Sequence, residues 1–196
     1  MAIRQDTAVG TDGKSRCGWA SADPLYEKYH DKEWGRPLKD DRALFELLTL
    51  EGCQAGLSWI TVLREREHYR KVYDDFDAAK IARYTPAKLA RLLADPGIIR
   101  HRGKIAASVT NAQAFLKLVE REGSFHRWLR KVVDEQLHAR PKTLKDVPAR
   151  TPQSDALAKA LAKEGFKFVG STICYAFMQA SGMIDDHVVG CHRRKE

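Results

Sequence analysis

DPGIIRHRGKI, residues 95–105, is the stretch on which the fold turns. A proline and two glycines here separate two helical patterns. The pattern before it starts at Thr85-Pro86, a cap followed by proline in the first turn, and runs to about Ala94. The pattern after it starts near Gly103 and carries Ile105, Val109, Ala112, Leu116 and Val119 at helical spacing. The unit, near 86–119, is therefore helix, tight glycine-bearing hairpin, helix. Arg100, His101, Arg102 and Lys104 gather where the N–H groups of Gly97–Gly103 and the next helix N-terminus can meet a phosphate. A plain helical connection with a basic loop accounts for the same residues. The glycines together with four basic or titratable side chains favour the phosphate.

Working outward, the chain reads as helices. Asp23-Pro24 starts one that Gly35 and Pro37 close off. Residues 40–50 form another, which Asp40 or Asp41 can cap. Further helices fall at 58–73, 77–83 and 124–133. Ser154 caps one at 155–163, which Gly165 stops, and Gly182 ends the last, 172–180. Residues 135–152 hold three prolines and no period, so they read as a long connection. Residues 1–15 are polar and read as a disordered tail. Nothing demands a sheet, and the class is all-α, with one domain over 16–196.

Composition sets the outer limits. Thirty-four Lys and Arg against 26 Asp and Glu give +8, a balance that suits a nucleic acid partner. No apolar run is long enough to span a membrane, and the first residues lack the apolar core of a signal peptide. The expected location is cytoplasmic. The four cysteines, Cys17, Cys53, Cys174 and Cys191, are then reduced, and none forms a C-x-x-C pair.

LEGCQAGLSWI, residues 50–60, breaks local rules. Leu44, Leu47 and Leu48 share a helix face, and the next position on it is Glu51. Such a carboxylate either points inward or sits at a helix C-terminus, where the macrodipole opposes it. Gly52 and Gly56 permit a turn, and Trp59 follows. The alternatives are a ligand site and a frayed helix end with a solvated Glu51. Upstream, Trp19, Tyr26, Tyr29 and Trp34 fall within sixteen residues. They are either a small aromatic core, favoured for at least two of them, or flat surfaces for a ligand ring.

A metal constellation is also visible. His187 and Cys191 stand at i, i+4 and face one way if that turn is helical. Cys17 and His30 form a second pair, and two Cys with two His is the composition of a closed tetrahedral zinc site. His192 competes with His187, and Asp186 is a candidate ligand or supporting partner. Two buried thiols and two ordinary histidines are the alternative.

CGW (17–19), DPLYEKYHDKEWG (23–35), LEGCQAGLSWITVL (50–63), GIIRHRGKI (97–105) and GFKFVGSTICYAFMQASGMIDDHVVGC (165–191) together resemble the 3-methyladenine DNA glycosylase I family, helix-hairpin-helix DNA glycosylases. The resemblance covers nearly everything from Cys17 to Cys191. It implies an enzyme that hydrolyses the N-glycosidic bond of 3-methyladenine in double-stranded alkylated DNA, with free 3-methyladenine as product ligand. It implies one structural zinc ion held by Cys17, His30, His187 and Cys191, in a lobe built from 16–37 and 165–191. Glu51 is the implied catalytic acid of the base pocket. Tyr29 and Trp59 are implied base contacts, with Trp19 and Tyr26 nearby. Leu57 is the implied wedge, and Gly97, Arg100, Arg102, Gly103 and Lys104 the DNA-binding hairpin. Many helix-hairpin-helix glycosylases carry a catalytic Asp one helix beyond the hairpin. Here no acid follows Gly103 until Glu120 and Glu122. An alkylated base leaves as a neutral molecule, so little acid catalysis is needed. With Lys104 assigned to the hairpin, the expected enzyme is monofunctional and monomeric. The alternative is a zinc-stabilised protein of the same fold that binds alkylated DNA without cleaving it.

Overall fold

A computed structural model describes residues 5–20, 23–54, 58–133 and 140–194. Thr7–Val9 (β1) and Ser15–Cys17 (β2) pair antiparallel, with Thr7 opposite Cys17. This corrects the expectation of a disordered tail over its described part, and of a chain without strands. The physical reason is Arg16. It is buried between the carboxylates of Asp12 and Asp31, so the hairpin is anchored by a charge cluster that hydrophobic periodicity does not report.

Nine α-helices follow among the described residues: Pro24–Lys32 (α1), Asp41–Gln54 (α2), Trp59–Val72 (α3), Ala78–Ile81 (α4), Pro86–Ala94 (α5), Arg102–Glu122 (α6), Phe125–Val132 (α7), Pro152–Lys163 (α8) and Ser171–Ala180 (α9). Caps explain several starts. Asp23 accepts from Leu25 N at 2.9 Å, and Pro24 opens α1. Asp40 accepts from Ala43 N at 2.8 Å and caps α2. Asp41 caps another helix: its carboxylate takes Phe125 N, His126 N and the Ser124 hydroxyl at the start of α7. Thr151, not Ser154, is the N-cap of α8; Ser154 stands three residues on and completes a reciprocal capping box. None of the described helices is long and apolar enough to cross a membrane.

The chain divides into two units. The first comprises Met1–Pro37, Glu135–Ala149 and Met178–Glu196. Its backbone ties distant segments together: Leu144 N donates to Asp6 Oδ1, Val189 N to Lys142 O, and His192 N to Ser15 O. The expected long connection is thus part of this unit rather than a free linker.

The second unit comprises Leu38–Asp134 and Arg150–Phe177. Its core runs through an aromatic series, Phe45 to Phe115 at 4.8 Å, Phe115 to Phe125 at 5.2 Å and Phe125 to Phe166 at 6.0 Å. The inward stripe of α6 is Ile105, Ser108, Ala112, Phe115 and Leu118, all buried. Of the stripe expected from sequence, Ile105 and Ala112 are buried, but Ser108 breaks the apolar pattern and Leu116 is exposed.

Candidate functional sites in the two units

Four side chains from distant parts of the chain converge in the first unit. Cys17 ends β2, His30 lies in the last turn of α1, and His187 and Cys191 follow α9. All four are buried, with donor atoms within 4.8 Å of one another. Cys191 Sγ is 3.4 Å from His30 Nε2 and 3.5 Å from His187 Nδ1, and Cys17 Sγ is 3.7 Å from that Nδ1. Metal–donor bonds of about 2.0–2.3 Å in a tetrahedron place neighbouring donors about 3.3–3.8 Å apart. These three spacings fall in that range, so the group can hold one metal ion. Hydrogen bonding from Cys17 draws Cys191 toward its thiolate, and the same contact pushes the Cys17 thiol up.

The segment from His187 to Cys191 is not helical. Residues 185–188 have no regular structure, and a turn closed by Cys191 N on Val188 O brings the pair together. Nor do the two alternative ligands join the cluster. His192 contacts Ser15 O at 2.9 Å and Asp31 at 3.4 Å. Asp186 accepts from Gln179 Nε2 at 2.7 Å.

Support for the donors is built in layers. His30 Nδ1 meets Asp31 Oδ1 at 2.9 Å, which leaves Nε2 facing Cys191. Asp31 accepts from Arg16 at 2.7 and 3.1 Å. Burial opposes the charge on Asp31, yet the Arg16 and His30 hydrogen bonds hold its carboxyl at about 2. Aromatic rings pack around the histidines. Trp19 lies 5.4 Å from the His30 ring and 4.9 Å from Trp34, and Trp34 meets His187 edge-on at 4.7 Å. Tyr29 and Trp34 are buried, while Trp19 and Tyr26, 5.0 Å apart, are half-buried.

In the second unit, α2 runs past Leu50 to Gln54. Gly52 is therefore helical, not the start of a turn. Glu51 continues the stripe of Leu44 and Leu48 inward and is only 3% exposed. A solvated, frayed end is excluded. Burial pushes the Glu51 carboxyl up to about 8. Trp59 is buried in the first turn of α3. Gly56 and Leu57 lie outside the described residues.

The hairpin between α5 and α6 is held from below by α3. Asp95 Oδ1 accepts from Gly97 N at 2.8 Å and faces His68 Nε2 at 2.9 Å. The Tyr69 hydroxyl accepts from Ile99 N at 2.9 Å. A Cβ on Gly97 would stand 2.5 Å from the His68 ring, so any side chain there would have to displace that ring. His101 Nδ1 accepts from Lys104 N at 3.2 Å and caps α6. Arg100 and Arg102 are exposed. The Lys104 amine donates to Cys53 O at 3.3 Å in the last turn of α2, and burial lowers its pKa. A cation at that end of a helix complements the dipole.

Two residues escaped the sequence. Glu65 was expected on a solvated face of α3. One of its oxygens is instead buried without a hydrogen-bond partner among the described residues, and burial raises its pKa. The signal was present, since Val62, Glu65 and Tyr69 stand at i, i+3 and i+7. Phe168 is exposed beside the hairpin with φ of 57°, which no sequence pattern announced.

Comparison with known proteins adds a separate line. The methyladenine glycosylase family model matches residues 19–194. The chain is 53% identical to DNA-3-methyladenine glycosylase 1 of Escherichia coli (strain K12) over 177 residues, covering 90% of this chain and 95% of that one. A crystal structure of 3-methyladenine DNA glycosylase I superposes with a TM-score of 0.88 at 52% identity, covering 92% of this chain and all of that one. A structure describing 3-methyladenine recognition by the Staphylococcus aureus enzyme superposes with a TM-score of 0.85 at 37% identity, covering 90% and 94%.

Proposed function

The chain belongs to the methyladenine glycosylase family and is a DNA glycosylase, and on that premise we propose that it hydrolyses the N-glycosidic bond of 3-methyladenine in double-stranded alkylated DNA. The products are the free base and an abasic site. The observation that carries the proposal is Glu51, a fully buried carboxyl in a helix face that is otherwise apolar.

A base stacked in a duplex is out of reach, so the substrate nucleotide must be flipped, at a cost of a few kcal/mol. N3-methylation makes the adenine cationic while it remains attached to deoxyribose. Glu51 keeps its proton up to about 8 because burial penalises its charge and no described residue repays that cost. A cationic base supplies the missing counter-charge and lets Glu51 ionise. Uncharged adenine does not, yet it still demands the flipping cost. Trp59 is assigned to base contact, where a ring face attracts a cationic ring by roughly 0.5–2 kcal/mol. Leu57 is assigned as the wedge that fills the vacated stack.

The α5–α6 unit is assigned as a helix-hairpin-helix element that grips the DNA backbone through its N–H groups, Arg100 and Arg102. The enzyme is assigned as monofunctional: lyase chemistry needs a lysine nucleophile in the base pocket, and Lys104 belongs to the hairpin. Cys17, His30, His187 and Cys191 are assigned to one zinc ion, whose donor set of two sulfurs and two imidazoles matches a closed structural site. The enzyme acts as a cytoplasmic monomer.

The test is release of free 3-methyladenine from methylated duplex DNA by zinc-loaded protein, with Glu51→Gln alongside. Release by the wild type, with weakened free-base binding in the variant, is expected. Binding of alkylated DNA with no base released would replace this proposal by the non-catalytic binder.

A further inference from the structure

We propose that Phe168 is a fixed aromatic contact for the bound DNA, its ring packing on the sugar–base face of a nucleotide that the hairpin cations hold. The inference rests on the glycosylase reading above and adds a contact residue to it.

Phe168 is 46% exposed, and its backbone φ is 57°. A bulky residue avoids that left-handed region unless its surroundings impose it. Here they do. The buried Asn111 side chain clamps the preceding residue from both sides: its Nδ2 donates to Lys167 O at 3.1 Å, and its Oδ1 accepts from Lys167 N at 2.7 Å. Cys174 Sγ donates to Val169 O at 3.3 Å on the other flank. Phe166 and Val169 are both buried. The loop is thus pinned on either side of a ring that is pushed outward. Exposed aliphatic residues such as Val9 need no explanation. An aromatic held outward against its own backbone preference does.

The surroundings name the partner. The Phe168 ring meets His101 edge-on at 5.8 Å, and its Cζ stands 3.1 Å from where a Cβ on Gly103 would lie. It therefore sits on the hairpin and on the first turn of α6. Exposed cations adjoin these residues in sequence: Arg100 and Arg102 on either side of His101, and Lys167 next to Phe168. Neither guanidinium has a partner among the described residues. An apolar ring set among cations suits a polyanion with flat apolar units, which is a nucleic acid strand.

Binding of a labelled duplex holding a tetrahydrofuran abasic analogue tests this across a salt series. Phe168→Ala is expected to weaken binding about tenfold, the scale of one lost stack, with the salt dependence of the wild type. Arg102→Ala is expected to lower the slope by about one phosphate contact. Phe168→Trp restores affinity. Phe168→Gly relieves the backbone, so it melts no lower than the alanine variant while binding stays weak. Free 3-methyladenine affinity is unchanged in all four variants. An alanine variant within twofold of the wild type, or one that loses free-base affinity, overturns the inference. A wild type that neither binds the duplex nor releases base overturns the glycosylase reading instead.

Discussion

Asp31 accepts from His30 Nδ1 at 2.9 Å and so fixes which nitrogen of that ring faces Cys191. The same carboxylate carries Arg16, which Asp12 clasps from its other side at 2.8 Å. One residue therefore orients a metal donor and neutralises a buried guanidinium. Replacing Asp31 by Ala should lower zinc affinity about 10–100-fold, the range for loss of such a supporting partner. Competition with a chromophoric chelator measures it; equal zinc retention in variant and wild type would show that the His30 ring needs no help.

Removal of the metal should loosen the first unit. Two sulfurs and two imidazoles brought together in the interior satisfy one another only in part by hydrogen bonds, and coordination would tie all four. Fresh protein should contain one zinc per chain. Chelation should lower the melting temperature, as should Cys17→Ser. Substoichiometric zinc together with unaltered melting of Cys17→Ser would rule the ion out.

Glu51 predicts a pH dependence with a definite sign. Folded, it holds its proton up to about 8; unfolded, its carboxyl gives up the proton near 4.5. Between those values the folded chain binds more protons. Its contribution to stability is complete below 4.5, falls by about 1.4 kcal/mol for each pH unit through the window, and levels off above 8. Glu51→Gln lacks this loss and should be the more stable protein at pH 8. The difference between the two stability curves isolates the one group. A difference that stays flat from pH 5 to 8 would mean that Glu51 is ionised in the fold.

Neighbouring aspartates at the start of α2 should differ in worth. Asp40 caps its own helix through one N–H, whereas Asp41 takes two N–H groups and a hydroxyl at the start of α7. Asp41→Ala should cost about 2 kcal/mol and Asp40→Ala nearer 1. Urea denaturation of both variants decides it, and a larger loss for Asp40→Ala would contradict the assignment.

Gly182 marks a backbone approach that tolerates no side chain. Its φ is 71°, and a Cβ there would stand 2.4 Å from the Arg36 carbonyl carbon. Gly182→Ala should destabilise by about 2 kcal/mol or more. A thermal midpoint within a degree of the wild type would show that the 36–37 backbone moves aside freely.

Much of this was visible in the chain itself, for reasons that differ by element. Asp23-Pro24 and Thr85-Pro86 are caps whose chemistry acts within a few residues, so α1 and α5 begin where the sequence places them. Glu51 stood out because one acid interrupted an apolar stripe. Two cysteine–histidine pairs advertised the donor cluster, although the turn that joins His187 to Cys191 is not the helix that their spacing suggests. Long-range causes stayed hidden. Pairing Asp41 with the α7 N-terminus, or Lys104 with Cys53 O, depends on segments tens of residues apart. β1 went unread because a buried Arg16, not alternating hydrophobicity, holds its hairpin. Phe168 takes its backbone from Asn111, 57 positions upstream, and no local pattern encodes that.

The donor cluster also sets an order of events during synthesis. Cys17 and His187 are 170 positions apart. The first pair of donors is therefore made long before the second. The helices from Leu38 to Asp134 have by then been free to collapse. Capture of the proposed ion is therefore a late event, and a nascent chain stalled before His187 carries two donors without their partners. Until then Cys17 lacks the later donors, and its thiol stays open to oxidation for as long as synthesis is stalled.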